Sequence, residues 1–111
     1  MSIPYDSPQL DVILDALANQ KRRNIIYLLA LHPSTISNLG KQTELTLPAI
    51  HKHIRILESA NLIMRRKIGR SNFIALNAKT LSLAQLWIDQ YKTNWSNPEA
   101  SLINYIARMK E

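Results

Sequence analysis

Cysteine is absent from this chain, and glycine occurs only twice in 111 residues. Without cysteine there is no disulfide, no thiolate metal ligand and no thiol nucleophile. Two glycines cannot build a glycine-rich phosphate loop and leave little for flexible linkers. No apolar run approaches the roughly 18 residues that a membrane helix needs. The opening Met1–Asp6 lacks the charged and apolar pattern of a signal peptide. A cytoplasmic location with no membrane partner is therefore expected. No serine or carboxylate pair stands beside a histidine at a catalytic spacing, so an enzyme is not expected.

What is present is apolar bulk and a localised positive charge. Hydrophobic residues make up 46% of the chain, enough for a core and too much for a disordered tail. The length suits one domain over residues 1–111, with a core over about 9–76 and a helical extension over 78–110. The net charge is +6, and it is concentrated: residues 41–70 hold seven of the 14 lysines and arginines and two of the eight acids. Residues 1–20 carry three acids and no base, and residues 71–111 are nearly balanced. A cationic tract of this kind attracts nucleic acid and speeds the encounter with it.

Periodicity and capping residues divide the chain. A helix runs from Gln9 to Leu17, with Ser7-Pro8 ahead of it as cap and first-turn proline and with Leu10, Ile13, Leu14 and Leu17 on one stripe. Asn19 caps a strongly apolar helix over Gln20–Leu31, which His32-Pro33 terminates. Ser34 or Thr35 caps a short helix over Ile36–Thr43, where Gly40 would let another helix approach closely. Glu44-Leu45 is a turn, and Thr46 with Pro48 opens a helix from Leu47 to Ala60. Two strands of period two follow, Leu62–Ile68 and Asn72–Leu76, joined by Gly69-Arg70-Ser71. A long helix from Asn77 or Thr80 to about Trp95, and another from Asn97-Pro98, complete the chain. The fold class is mainly α with a small β-hairpin: a winged helix-turn-helix with helical dimerisation extensions at both ends.

The helix after Thr46 sets Ile50, Ile54 and Leu57 inward and Pro48, Lys52 and Arg55 outward, at 100° per residue. Lys52 and Arg55 are the best placed for phosphates or base edges. His51 and His53 point about 200° apart, so the two do not form a metal site. In the hairpin, neighbouring residues alternate faces. Arg70, Ser71 and Asn72 at the tip are placed for a minor groove, with Lys67 beside them. Phe73 is expected to anchor the hairpin in the core. Trp87, Tyr91 and Trp95 recur at helical spacing, and Leu102, Ile103, Ile106 and Met109 form a second stripe. These stripes exceed what a small core needs and suit a partner copy.

The segments Leu17–Ile26, Ile36–Leu39 and His53–Ile63, with Gly69-Arg70, Phe73 and Leu76, resemble the ArsR family of bacterial winged-helix repressors. The resemblance covers about Leu14 to Leu76. It implies a homodimeric, sequence-specific repressor of double-stranded DNA, with Leu47, Pro48, His51 and Lys52 at the DNA-reading positions. Adding the cap and the outward and wing-tip residues gives a DNA-binding set of Thr46, Leu47, Pro48, His51, Lys52, Arg55, Lys67, Arg70, Ser71 and Asn72. Leu10, Ile13, Leu14, Trp87, Tyr91, Trp95, Leu102 and Ile106 form the expected dimer interface. The chain departs from the family where Glu44 replaces a frequent glycine and where Leu47-Pro48-Ala49 replaces small polar residues. The family's cysteine motif is missing, and Asp89 stands alone where zinc sensors carry carboxylates and histidine. No metal or other cofactor is therefore expected, and a small-molecule effector of unknown identity stays open. The alternative is a winged-helix module that binds proteins and not DNA, which the Leu47-Pro48-Ala49 run favours and the Arg65–Arg70 cluster opposes.

Overall fold

The computed structural model describes residues 2–92 and 97–110. Its elements are α1 (Pro8–Leu17), α2 (Gln20–Leu31), β1 (Ser34–Thr35), α3 (Ile36–Thr43), α4 (Leu47–Ser59), β2 (Ile63–Ile68), β3 (Ser71–Leu76), α5 (Ala78–Asp89) and α6 (Pro98–Met109). Each helix start but one is fixed by a local hydrogen bond that satisfies a free backbone N–H. Ser7 Oγ accepts from Leu10 N at 3.2 Å, and Asn19 Oδ1 accepts from Lys21 N and Arg22 N. Thr35, Thr46 and Asn97 cap α3, α4 and α6 in the same way. Asn77 precedes α5 without a side-chain cap.

The core is one cluster. Ile13 of α1, Ile25 of α2, Leu39 of α3, and Ile50, Ile54 and Leu57 of α4 are fully buried, together with Leu62 and Ile74. The inward stripe expected for α4 is therefore the one observed. Arg22 and Arg23 tie α2 to α1 by donating to the end carbonyls of Asp15, Ala16 and Leu17, of which Asp15 also accepts from Ala18 N.

Two backbone reversals orient α4. Glu44 adopts a left-handed φ of 57°, which makes the sharp turn between α3 and α4. Asn61 does the same with φ 59° at the other end. There Leu62 N donates to Leu57 O and Asn61 N to Glu58 O, a Schellman closure. The Asn61 carbonyl then accepts from Thr80 Oγ1 at 2.6 Å and Asn77 Nδ2 at 3.1 Å, clipping the start of α5 onto the end of α4. Helix α5 also packs against α1.

Three sequence expectations change. The sheet has three strands in the order β1-β3-β2, because Ser34–Thr35 pairs antiparallel with Ile74 and Phe73. The hairpin turn has two central residues, Gly69 and Arg70, and Ile68 pairs with Ser71. Gly69 alone has positive φ there (63°), as in a type II′ turn. Phe73 is 36% exposed and Ile74 is fully buried, so Ile74 is the anchor of β3 and Phe73 lies on the outer face.

Gly40 also differs in its role. A Cβ built there would meet Ile50 Cγ2 at 3.9 Å, an ordinary contact, so helix packing does not require glycine. Gly40→Ala is expected to stabilise the fold by about 1 kcal/mol through helix propensity. A thermal or urea midpoint below that of the wild type would show that the neighbouring helix cannot accept the methyl group.

Candidate nucleic-acid interface

The recognition segment and the wing tip meet in one cleft of about 760 Å³. Leu47 and His51 form its α4 wall, and Arg70, Ser71 and Asn72 come in from the hairpin. Helix α3 supplies a wall that sequence reasoning does not anticipate, through Ser37, Gly40 and Lys41 with the cap residue Thr35. Lys41 is the lone base of α3, and its position three residues before the turn is the one clue the sequence offers. Leu47, Arg70 and Ser71 are exposed, while His51 and Asn72 are half-buried. The cleft therefore offers two strong cations, an imidazole, hydroxyls and an amide, with an apolar leucine at its mouth. Such a mixture suits phosphate contacts at the rim and base-edge contacts within.

Lys52 and Arg55 lie elsewhere. They line a second cleft of about 350 Å³ with Ile56 and Ser59, facing Val12 and Asp15 of α1. The predicted DNA-binding set is thus divided between the two sides of α4. Thr46 and Pro48 are exposed at the start of that helix.

Strand alternation sorts the wing cations. Arg65 faces inward opposite Ile74 and is held by Glu58, with hydrogen bonds of 2.6 and 3.3 Å to its two carboxylate oxygens. This pair fixes the base of the wing to the end of α4. Lys67 shares that inner face opposite Asn72, and Arg66 lies on the outer face opposite Phe73. The four hairpin cations consequently do not act as one surface.

His53 points toward α2, away from His51's cleft. Burial lowers its pKa from the ordinary 6.5, and the neighbouring Arg22, Lys52 and Lys21 lower it further. Its Nδ1 is buried without a hydrogen-bond partner. The unfolded chain therefore binds this proton more readily than the folded one. The stability contributed by neutral His53 is complete above pH 6.5 and is lost as pH falls through the lowered folded value. His53→Gln is expected to flatten the acid side of a stability–pH profile measured by urea unfolding. An unchanged slope below that pH would remove His53 as its source.

The expected dimer residues also separate. Leu10 and Ile13 are buried at 3% and 0% inside the chain's own core, so they cannot present surface to a second copy. This corrects their assignment: the phase of α1 turns them into the chain's own core and leaves Val12 and Leu14 exposed. Trp87 is half-buried against the core and meets Tyr91 edge-to-face at 5.0 Å between ring centroids. Tyr91, Leu102 and Ile106 are exposed, and no residue of α6 is buried. Trp95 lies outside the described residues.

A helical core, a helix behind a left-handed turn with one side buried and the other open, and a hairpin sharing that helix's cleft define a winged helix-turn-helix protein. The family model described as "Bacterial regulatory protein, arsR family" matches residues 19–65. The solved structure of the ArsR family transcriptional regulator RHA00566 is 31% identical, with a TM-score of 0.74 over 83% of this chain and 96% of that one. The HTH-type transcriptional regulator Rv2034 of Mycobacterium tuberculosis is 29% identical over 90% of this chain and 92% of its own length. The homodimeric winged helix-turn-helix DNA-binding domain of Mb0332 from Mycobacterium bovis shares the fold, with a TM-score of 0.63 at 19% identity over 81% of this chain and 92% of that one. The chain belongs to the ArsR family and is a DNA-binding transcriptional regulator. Among the described residues no helix is long and apolar enough to cross a membrane.

Proposed function

We propose that the chain is a cytoplasmic, homodimeric repressor that reads double-stranded DNA with the cleft between α4 and the wing. The observation that carries this reading is the meeting of Leu47 and His51 with Arg70, Ser71 and Asn72 in one solvent-open cleft. In this reading His51 and Asn72 reach base edges, and Lys41, Lys67 and Arg70 neutralise phosphates. Lys52 and Arg55, on the other side of α4, contact phosphates nearer the molecular dyad. Thr46 and Pro48 fix the start of the helix, and Leu47 supplies apolar contact such as a thymine methyl group accepts.

The second copy covers exposed apolar side chains of α1 and α6 and Tyr91, just beyond α5. Leu14, Tyr91, Leu102 and Ile106 are between 37% and 58% exposed, which is a large apolar surface for one copy to leave in water. Repression follows if the operator overlaps a promoter, because a bound dimer then excludes polymerase. A small-molecule effector would act by changing how the two copies sit relative to one another.

A salt titration tests the DNA contact. Affinity for a site selected from random duplexes is expected to fall on the order of a thousandfold between about 50 and 200 mM salt, as for roughly six neutralised phosphates. Salt-independent binding, or none to any duplex, would favour a protein-binding module instead.

A further inference from the structure

The outer face of the wing is apolar and open. Met64 and Ile68 of β2 are 61% and 59% exposed, and Phe73 of β3 is 36% exposed. With Pro33 and Ala75 they line a groove of about 580 Å³ beside Arg66. This face is turned away from the cleft holding His51 and Asn72, so DNA bound there leaves Met64 and Phe73 free, although Lys67 of the inner face is shared with the proposed phosphate contacts.

The groove crosses the outer face of the sheet from Pro33 to β2, and its β2 side is an unpaired sheet edge. Strand β2 is the last in the order β1-β3-β2. Ile68 and Ser71 flank the two-residue turn and so exchange their main-chain hydrogen bonds. Alternation then spends the main-chain groups of Met64 and Arg66 on β3 and turns those of Ile63, Arg65 and Lys67 outward; Ile63 is 2% exposed, so only Arg65 and Lys67 are open to a partner. No loop or cap hydrogen bond between main-chain groups engages those three among the described residues.

We infer that this edge accepts an extended peptide whose residues alternate between acidic and apolar. A strand added beside β2 presents successive side chains to opposite faces. On the outer face its neighbours are Met64 and Ile68, with the groove beyond, which favours apolar side chains. On the inner face its neighbours are Lys67, whose ammonium favours a carboxylate, and Arg65, whose Nε and Nη2 are already held by Glu58. A second copy of this chain is a poor occupant, because pairing two β2 edges would set Arg65 and Lys67 against their own equivalents. The ordinary role of edge cations, blocking such self-pairing, is thus compatible with admitting a partner of opposite charge.

The probe is a fluorescein-labelled heptapeptide alternating glutamate and valine, titrated into the full chain without DNA. Binding is read by anisotropy and by amide shifts in nuclear magnetic resonance. Saturable binding is expected, with shifts at Arg65 and Lys67 and little change at Leu47–Lys52. The double variant Met64→Ser with Phe73→Ser, both on the surface, is expected to weaken it about tenfold. A lysine–valine peptide is expected not to bind. The proposal is overturned if the heptapeptide does not saturate, or if an all-glutamate peptide binds equally well, which would reduce the edge to a cationic patch. It is also overturned if duplex DNA, and not the peptide, shifts the amides of Met64 and Phe73. Because DNA is absent from the main titration, failure here leaves the DNA reading to be judged by its own salt dependence.

Discussion

His51→Ala combined with Arg70→Ala is expected to lower affinity for a selected operator on the order of a hundredfold, with the fold unchanged. Both side chains line the cleft between α4 and the wing, and neither is buried in the core. A base-edge contact carries about 1–3 kcal/mol of discrimination, and a phosphate contact adds salt-dependent affinity. Removing one of each costs specific binding more than binding to random DNA. The companion variant Lys52→Ala with Arg55→Ala removes cations from the cleft that faces Val12 and Asp15. It is expected to weaken specific and random binding alike and to reduce the salt slope by about one for each phosphate no longer neutralised. A gel-shift series on specific and random duplexes separates the two patterns. If the His51/Arg70 variant binds as the wild type does, the cleft does not read DNA.

Leu102→Glu combined with Ile106→Glu is expected to convert the proposed dimer to monomers and, with it, to abolish operator binding at working concentrations. The two residues lie one turn apart on α6, are 58% and 42% exposed, and belong to a helix with no buried residue. Their loss therefore leaves the protomer's core untouched, unlike Trp87→Ala, which removes a side chain packed against that core. Burying a leucine or isoleucine contributes roughly 1.5–3 kcal/mol, so losing two on each copy raises the dimer dissociation constant by about a hundredfold or more. Sedimentation gives the answer. A variant that still sediments as the wild type does would place the interface away from α6.

The elements whose limits are set by neighbouring residues are legible in the sequence. Asn19, Thr46-Pro48 and Asn97-Pro98 each announce a helix, and each makes the expected cap hydrogen bond. The buried stripe Ile50, Ile54 and Leu57 follows from period alone. Features decided by distant partners are not legible. Ser34–Thr35 is a strand only because Ile74 and Phe73 lie beside it. The inward residue of β3 depends on phase, and the adjacent pair Phe73-Ile74 offers two apolar choices of which the core takes the branched one. A helical wheel separates the exposed side of α4 from the buried one, but it does not say what stands beyond each exposed sector. That is why Lys52 and Arg55 face α1 and not the wing. The α3 wall with Ser37 and Lys41 escapes sequence reasoning for the same reason, since only the tertiary fold brings it opposite Arg70.

The departures from the family pattern have physical consequences. Glu44 occupies a left-handed turn at φ 57°, a conformation costing a non-glycine residue about 1–2 kcal/mol. Leu47-Pro48-Ala49 removes hydrogen-bonding side chains from the first turn of α4. In the proposed reading, specificity then depends more heavily on His51, on Asn72 and on the shape of the DNA groove.

Hydroxyl-radical footprinting of the full-length chain on a selected duplex tests the dimeric cleft reading most directly. Two protected patches related by a dyad, with centres about 34 Å apart, are predicted, together with minor-groove protection where Arg70 and Ser71 enter. A single unsymmetrical patch, or protection unchanged when His51 and Arg70 are both alanine, would contradict it.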